Sequence, residues 1–269
     1  MDRSGIITLL TDFGLADAYT AMMKGVILSI NRNAKLIDIT HSIDIGAIFQ
    51  GAGILKDTCS YFPKGTVHVT VVDPGVGSSR RPIAVKAAGH FFVGPDNGIF
   101  WPVIEYNPGA KIVELTEKKY FAGNITSTFH GRDIFAPVAA HISLGTEVGR
   151  LGRPVTDPVK LTLPQPRQND ETLNGEIIRV DNFGNLITNI TGSRLNDFLS
   201  GKSPVIHLGE HKITEICNTY SDKDKGKLIA LINSSDYLEI AVNLGKASEH
   251  LGKASEEIIG MRVKVAAIN

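Results

Sequence analysis

The chain has 269 residues, 42% hydrophobic and 21% charged, enough for one large or two modest soluble domains with a sizeable core. Lys plus Arg equals Asp plus Glu at 28 each, for a formal net charge of +0 at pH 7, so no electrostatic case exists for a nucleic-acid partner. No run approaches the ~20 apolar residues of a membrane span. The apolar stretch Ile6 to Leu10 is too short for a signal h-region, and the expectation is a cytoplasmic protein without a membrane partner.

In chain order, Gly5 to Leu10 reads as a strand, Thr11-Asp12-Phe13-Gly14 as its exit loop, and Asp17 to Ile30 as a helix. Lys35 to Ile39 is a second strand ending at Thr40-His41, Ile45 to Lys56 a second helix, and the β-branched run Val67 to Val72 a third, buried strand. The β-α-β-α-β alternation predicts a mainly parallel sheet with right-handed crossovers. Ile83–Ala87 and His90–Val93 form a hairpin, Gly94 to Gly98 a turn, Lys111–Leu115 a strand, and Ile134 to Leu144 a helix for which Asp133 supplies a cap or a dipole partner. Pro154, Pro158, Pro164 and Pro166 then interrupt the chain, which sets an N-terminal α/β domain over 1–160, a linker over 161–172 and a second domain over 173–269. In that domain Gly175–Val180, Asn185–Ile190, Val205–Leu208, Lys212–Ile216, Lys227–Ile232, Tyr237–Val242 and Met261–Ala267 are short alternating strands, a pattern for a small antiparallel barrel or sandwich. The duplicated Leu-Gly-Lys-Ala-Ser-Glu at 244–249 and 251–256 reads as a loop and short helix.

The candidate chemistry clusters at the ends of the predicted strands. Asp73-Pro74-Gly75 ends the buried strand, and Arg80 and Arg81 follow within reach, where open α/β sheets place ligands; the same residues also suit an ordinary turn with a solvated Arg pair. Asp73, Arg80 and His130 together can form a charged cluster that activates water, with His130 oriented by Asp73 and accepting the proton. Asp12 suits either a ribose diol or a helix cap. No GxGxxG or GxxxxGK[ST] motif supports a phosphate cradle. A metal reading would recruit Asp12, Asp38, His41, Asp44, Asp73 and His130, but no HExxH or close His pair marks a first shell, and no metal is expected. Cys59 and Cys217 show no metal or disulfide spacing and read as reduced thiols. Further along, Asp181 to Asn185 and Asn233 to Asp236 are turns by default, or else amide, hydroxyl and carboxylate groups set to grip a small polar ligand.

Taken together, Thr11-Asp12-Phe13-Gly14, Asp38-Ile39-Thr40-His41, Asp73-Pro74-Gly75-Val76-Gly77 with Arg80, Gly94-Pro95-Asp96-Asn97-Gly98, Thr128 to Asp133, Asp181 to Asn185 and Asn233-Ser234-Ser235 resemble the S-adenosyl-L-methionine (SAM) hydrolases, or SAM hydroxide adenosyltransferases, which are related to the fluorinase and chlorinase. The resemblance spans nearly the whole chain. It implies an N-terminal α/β domain, a C-terminal β-barrel, and a homotrimer whose sites lie between the N-domain of one subunit and the C-domain of its neighbour. The implied reaction is SAM plus water giving adenosine and L-methionine, with SAM as a small-molecule substrate and no cofactor. Asp73, Arg80 and His130 match the family's water-activating set, Asp12 the ribose carboxylate, Asp17, Asp181 and Ser234, with Ser235, the groups at the methionine end, and Asn185 an adenosine contact. Gly131 stands where the fluorinase has a halide-binding serine, and the fluorinase's extra loop is missing, which points away from halide chemistry. The alternatives are a halogenase of the same family, a SAM- or adenosine-binding protein with little turnover, and a metal-dependent phosphohydrolase.

Overall fold

The computed structural model of the chain describes residues 3–162, 164–253 and 255–268. The parts of the amino-terminal, linker and second-copy readings that fall on Met1, Asp2, Leu163 and Ala254 lie outside the described residues. The chain divides into two compact units, Met1–Thr162 and Leu163–Asn269.

The first unit runs β1 (Ile6–Thr11), α1 (Tyr19–Ile30), β2 (Lys35–Thr40), α2 (Ile48–Cys59), β3 (Val67–Val71), β4 (Pro82–Ala87), β5 (His90–Pro95), α3 (Trp101–Glu105), β6 (Lys111–Leu115), α4 (Ala136–Ser143) and β7 (Gly152–Pro154). Its sheet has the order β2-β1-β3-β5-β4-β6-β7. The strands β2, β1, β3 and β5 pair in parallel, and β4, β6 and β7 extend the sheet antiparallel. Side chains alternate between two cores. Ile7, Leu9 and Val69 pack with Met23, Ile27 and Phe135 on one face, while Leu10 and Val72 pack with Leu55, Phe92 and Phe100 on the other. Each such fully buried apolar side chain contributes about 1.5–3 kcal/mol, and β3 is buried on both faces, its valines and also His68 and Thr70.

The helices begin later than periodicity predicts. Asp17 lies in an exposed turn two residues before α1, and Ile45, 95% exposed, lies three residues before α2. The turns that precede the helices leave both positions in solvent. The expected helix from Ile134 is also corrected, because the chain first makes a single π-helical turn over Gly131–Phe135 and only then enters α4. Asp133 caps nothing: it is buried in that turn and accepts from Thr126 N (2.8 Å), Thr126 Oγ1 (2.7 Å) and Arg132 Nε (2.6 Å). Its carboxylate thereby fastens the 122–129 loop to the turn.

The second unit contains β8 (Arg167–Gln168), β9 (Thr172–Val180), β10 (Leu186–Thr191), α5 (Gly192–Leu199), β11 (Ser203–Leu208), β12 (His211–Ile213), β13 (Leu228–Ile232), β14 (Tyr237–Val242), α6 (Ala247–His250), α7 (Ser255–Ile258) and β15 (Arg262–Ile268). All its strand pairings are antiparallel, in the order β12-β11-β15-β9-β10-β14-β13, with β8 on β9. Cys217 N donates to Ala230 O (2.7 Å), drawing the end beyond β12 toward β13 and nearly closing the sheet into a barrel around Leu173, Ile177, Leu186, Ile206 and Ile240. The segment 161–172, read as a linker, contributes the short strand β8.

Candidate active site

The parallel register sets Thr11 beside Val71, so Asp12 and Asp73 leave adjacent strands at the same edge. Gly46 joins their loops. Its N–H donates to Asp12 Oδ2 (2.9 Å), and its backbone packs so that an added Cβ would touch Pro74 at 3.7 Å. From the other side the π-turn brings in His130.

Arg80 is the hub. Its Nε donates to Asp73 Oδ1 (2.9 Å) and Oδ2 (3.0 Å), its Nη2 forms a short bond to Asp73 Oδ2, and the same Nη2 lies 2.9 Å from His130 Nδ1. The side chains of Arg80 and Asp73 are only 9% and 4% exposed, so the ion pair is screened little by water. Arg80 Nη1 is buried and has no hydrogen-bond partner among the described residues, while the guanidinium stacks 5.3 Å from the Phe135 ring. His130 therefore meets Arg80 and not Asp73, contrary to the expectation that Asp73 orients it. Arginine has no acceptor atom, so His130 Nδ1 must accept, and the neutral ring holds its proton on Nε2. Burial lowers the His130 pKa below the ordinary histidine value and the Arg80 charge lowers it further, outweighing Asp73 and Asp133, which raise it.

The loop after Asp73 is shaped by glycine. Gly77 has φ +77°, and a Cβ there would collide with the Ser127 carbonyl oxygen, so the Gly75–Gly77 turn can lie flat on the loop that precedes His130. Phe13, Tyr19 and Phe129 make edge-to-face contacts at 5.2–5.9 Å beside it. Gly131 is packed shut, since a Cβ would meet Met23 Sδ at 3.2 Å, the Phe129 ring at 3.3 Å and the Phe13 ring at 3.5 Å. Arg81 turns away from the cluster and bonds to Asp96 (2.8 Å) and Asp157 (2.8 Å).

Within the second unit, Asp181 Oδ1 accepts from Phe183 N and Asn185 N, both at 2.9 Å, and Oδ2 from Asn185 Nδ2 (3.1 Å), so this pair builds its own loop. Leu186 opposes Ile240 and Thr191 opposes Tyr237, which puts the Asp181–Asn185 loop at one end of β10 and the Asn233–Ser235 turn at the other. Ser234 is exposed; Ser235 N donates to Asn233 Oδ1 (3.0 Å). Between the two loops lies a pair that sequence reasoning missed: buried Glu239 accepts from Tyr220 OH (2.8 Å) and Asn233 Nδ2 (3.2 Å). A carboxylate inside a strand pattern was the available signal. Burial and the Glu239 carboxylate push the Tyr220 pKa up to about 12. Among the described residues no group of three or more His, Cys, Asp or Glu side chains is set to hold a metal ion; Asp38 and His41 pair with each other.

Fold and site define a two-unit enzyme class: an α/β unit with a buried Asp-Arg pair joined to a part-buried His at its strand exits, followed by an antiparallel barrel. Residues 7–152 match the SAM hydroxide adenosyltransferase N-terminal domain and residues 175–259 the C-terminal domain. The chain is 36% identical over 265 residues to a protein of Salinispora tropica named (R)-S-adenosyl-L-methionine hydrolase, covering 97% of each, and 38% identical over 261 residues to one of the same name from Methanocaldococcus jannaschii, covering 93% of each. A fluorinase of an Actinoplanes species is more distant, at 27% identity over 88% of this chain and 91% of its own. In structure the chain is similar to an uncharacterized conserved protein of Thermotoga maritima, with a TM-score of 0.88 at 36% identity over 97% of this chain and 99% of that one. The chain belongs to the SAM hydroxide adenosyltransferase family.

Proposed function

We propose that the protein hydrolyses S-adenosyl-L-methionine to adenosine and L-methionine, with Asp73, Arg80 and His130 acting on the attacking water. Family membership and relatives at 34–38% identity named for this activity support the reaction. The observation behind the residue roles is the buried Asp73–Arg80 pair with an unpartnered Arg80 Nη1 at the strand exit.

The substrate is a sulfonium. Water oxygen forms a bond to ribose C5′ as the C5′–S bond breaks, the sulfur keeps the electron pair and leaves as the neutral thioether of methionine, and the water gives up a proton. Opposite charges merge in this step, which favours a dry site. In the neutral ring the His130 lone pair is on Nδ1, and Arg80 occupies it, so His130 acts by fixing the guanidinium. Arg80 Nη1 supplies positive charge to the water oxygen, lowering its pKa. Asp73 Oδ1, which accepts from Arg80 Nε, keeps lone-pair capacity for the proton. That proton becomes acidic as the C–O bond forms, so a carboxylate is base enough. General-base help of this kind is typically ~10²–10⁴-fold, and positioning supplies much of the rest. Asp12 takes the ribose diol. Asp17 at the approach to α1, and Asp181, Asn185, Ser234 and Ser235 from the second unit of a neighbouring chain in the homotrimer, are the remaining substrate-binding groups that the resemblance implies. The homotrimer implied by resemblance and the cytoplasmic location expected from the sequence belong to the same proposal, and light scattering on the eluted protein should give the mass of three chains.

Chelator-treated protein incubated with SAM in ¹⁸O-water tests the reading. The expected products are free methionine and adenosine labelled at its 5′ oxygen, with loss of turnover in Asp73→Ala. SAM returned intact while adenosine binds tightly would replace the hydrolase with a binding protein.

A further inference from the structure

Behind the Asp12 loop runs a file of polar side chains that this chemistry does not use. Lys24 Nζ donates to Asp38 Oδ2 (2.6 Å); His41 Nε2 lies 3.1 Å from Asp38 Oδ1, in ion-pair reach but off the hydrogen-bond line; His41 Nδ1 is 2.8 Å from Thr11 Oγ1; and Thr11 Oγ1 accepts from Phe13 N (3.2 Å). Thr11 and His41 are buried, whereas the Asp38 carboxylate is 37% exposed.

The chemistry of the groups gives the file one direction. A carboxylate only accepts, which favours the His41 proton on Nε2 facing Asp38, leaving Nδ1 to accept the Thr11 hydroxyl hydrogen. The hydroxyl oxygen then keeps lone pairs for Phe13 N–H. Asp12 sits between Thr11 and Phe13, so the file grips the backbone on both sides of it. Three more bonds tie the same turn to the 41–46 loop: Gly14 N to His41 O (2.8 Å), Ile43 N to Thr11 O (3.4 Å) and Gly46 N to Asp12 Oδ2 (2.9 Å). That last bond uses one of about four lone-pair sites on the carboxylate, so two remain for vicinal hydroxyls with one to spare.

We infer that Asp38, His41 and Thr11 form a positioning device for Asp12, presenting its carboxylate to the vicinal diol of a riboside. Thr11 and His41 are then positioning residues, acting through Asp12 without touching the ligand. The inference rests on the proposed diol-binding role of Asp12.

The test compares the affinities of adenosine and 2′,3′-dideoxyadenosine, by calorimetry, for the full chain and its Thr11→Val, Thr11→Ser and His41→Asn variants. Wild type should bind adenosine about 10–100-fold tighter than the dideoxy compound, the range expected for hydrogen bonds to a charged group. Thr11→Val keeps the side-chain shape and should shrink that ratio to within a few-fold by weakening adenosine alone, and Thr11→Ser should restore it. A purely structural role would weaken both ligands together. If Thr11→Val does not fold, Asp38→Ala, at a part-exposed carboxylate, should show the same smaller ratio. An unchanged ratio in the variants overturns the positioning role while leaving Asp12 in place. A wild type without diol preference overturns the Asp12 role itself, and the inference with it.

Discussion

Strand β3 has a histidine environment near one end and the charged cluster at the other, and the two differ in kind. His68, near the strand's start, is fully buried: its Nδ1 is 2.8 Å from Thr8 Oγ1, its Nε2 is 3.3 Å from His90 Nδ1, and its ring stacks on Phe92 at 5.1 Å. Burial, with His90 beside it, lowers its pKa to about 3. Past the other end, Asp73 leads through Arg80 to His130, a histidine that is less enclosed and is held neutral partly by a cation. Both imidazoles stay neutral, but one does so because nothing around it can accept a charge and the other because a charge is already there. The second arrangement leaves a charged donor, Arg80 Nη1, without a hydrogen-bond partner among the described residues. Neutrality of a histidine is thus no mark of chemistry; what separates the two ends of β3 is the spare donor of a buried cation beside His130.

Substitution at each end gives the largest contrast. Arg80→Met should lower kcat by about 10²–10³-fold, the usual loss for one preorganised charged donor. His68→Gln should leave kcat unchanged while lowering stability. Steady-state kinetics on the two folded variants checks this, and equal losses of kcat would mean that the two ends of β3 are not separate in function.

How much of this was readable from residues alone follows the same division. The β-branched run of β3, its Asp-Pro-Gly exit and the seven-residue step from Asp73 to Arg80 are local signals, and each predicts what is found. His130 lies fifty positions from Arg80, and no spacing rule says that a guanidinium will stand between it and Asp73. The π-turn that delivers His130 depends on Asp133 bonding to Thr126, a loop contact without periodicity. In the second unit the strands show through alternation, but α5 was missed although Thr191 is a regular N-cap accepting from Arg194 N (3.2 Å). The separation of Asp181 from Ser234 by the length of β10 is a matter of register, which turn composition does not report.

The next contrast is in stability against pH. His68 in the unfolded chain takes up a proton near 6.5, whereas in the folded chain it does so only near 3. In that window the unfolded state holds more protons, so stability is full above 6.5 and falls as pH drops, by about 1.4 kcal/mol per pH unit for each proton taken up. Burial lowers the His90 pKa as well, with the same sign. Urea midpoints measured at pH 7, 5.5 and 4.5 should therefore decline steeply in wild type and less steeply in His68→Gln. An equal decline in both would mean that acid sensitivity originates elsewhere in the chain.

The smallest expected effect is the most direct comparison of the two imidazoles. In Arg80→Met the cation that disfavours protonation of His130 is gone and its Nδ1 is released, while burial still acts on the ring, so its titration midpoint should move upward. His68 lies about 16 Å by strand rise from Asp73, which anchors Arg80, and its own causes are burial and His90, so its titration should not respond. Imidazole proton shifts followed by NMR across acid pH report both rings in one sample. If His130 stays where it was, its neutrality comes from burial alone, like that of His68, and the site's electrostatics must be assigned to Arg80 Nη1 without help from the ring.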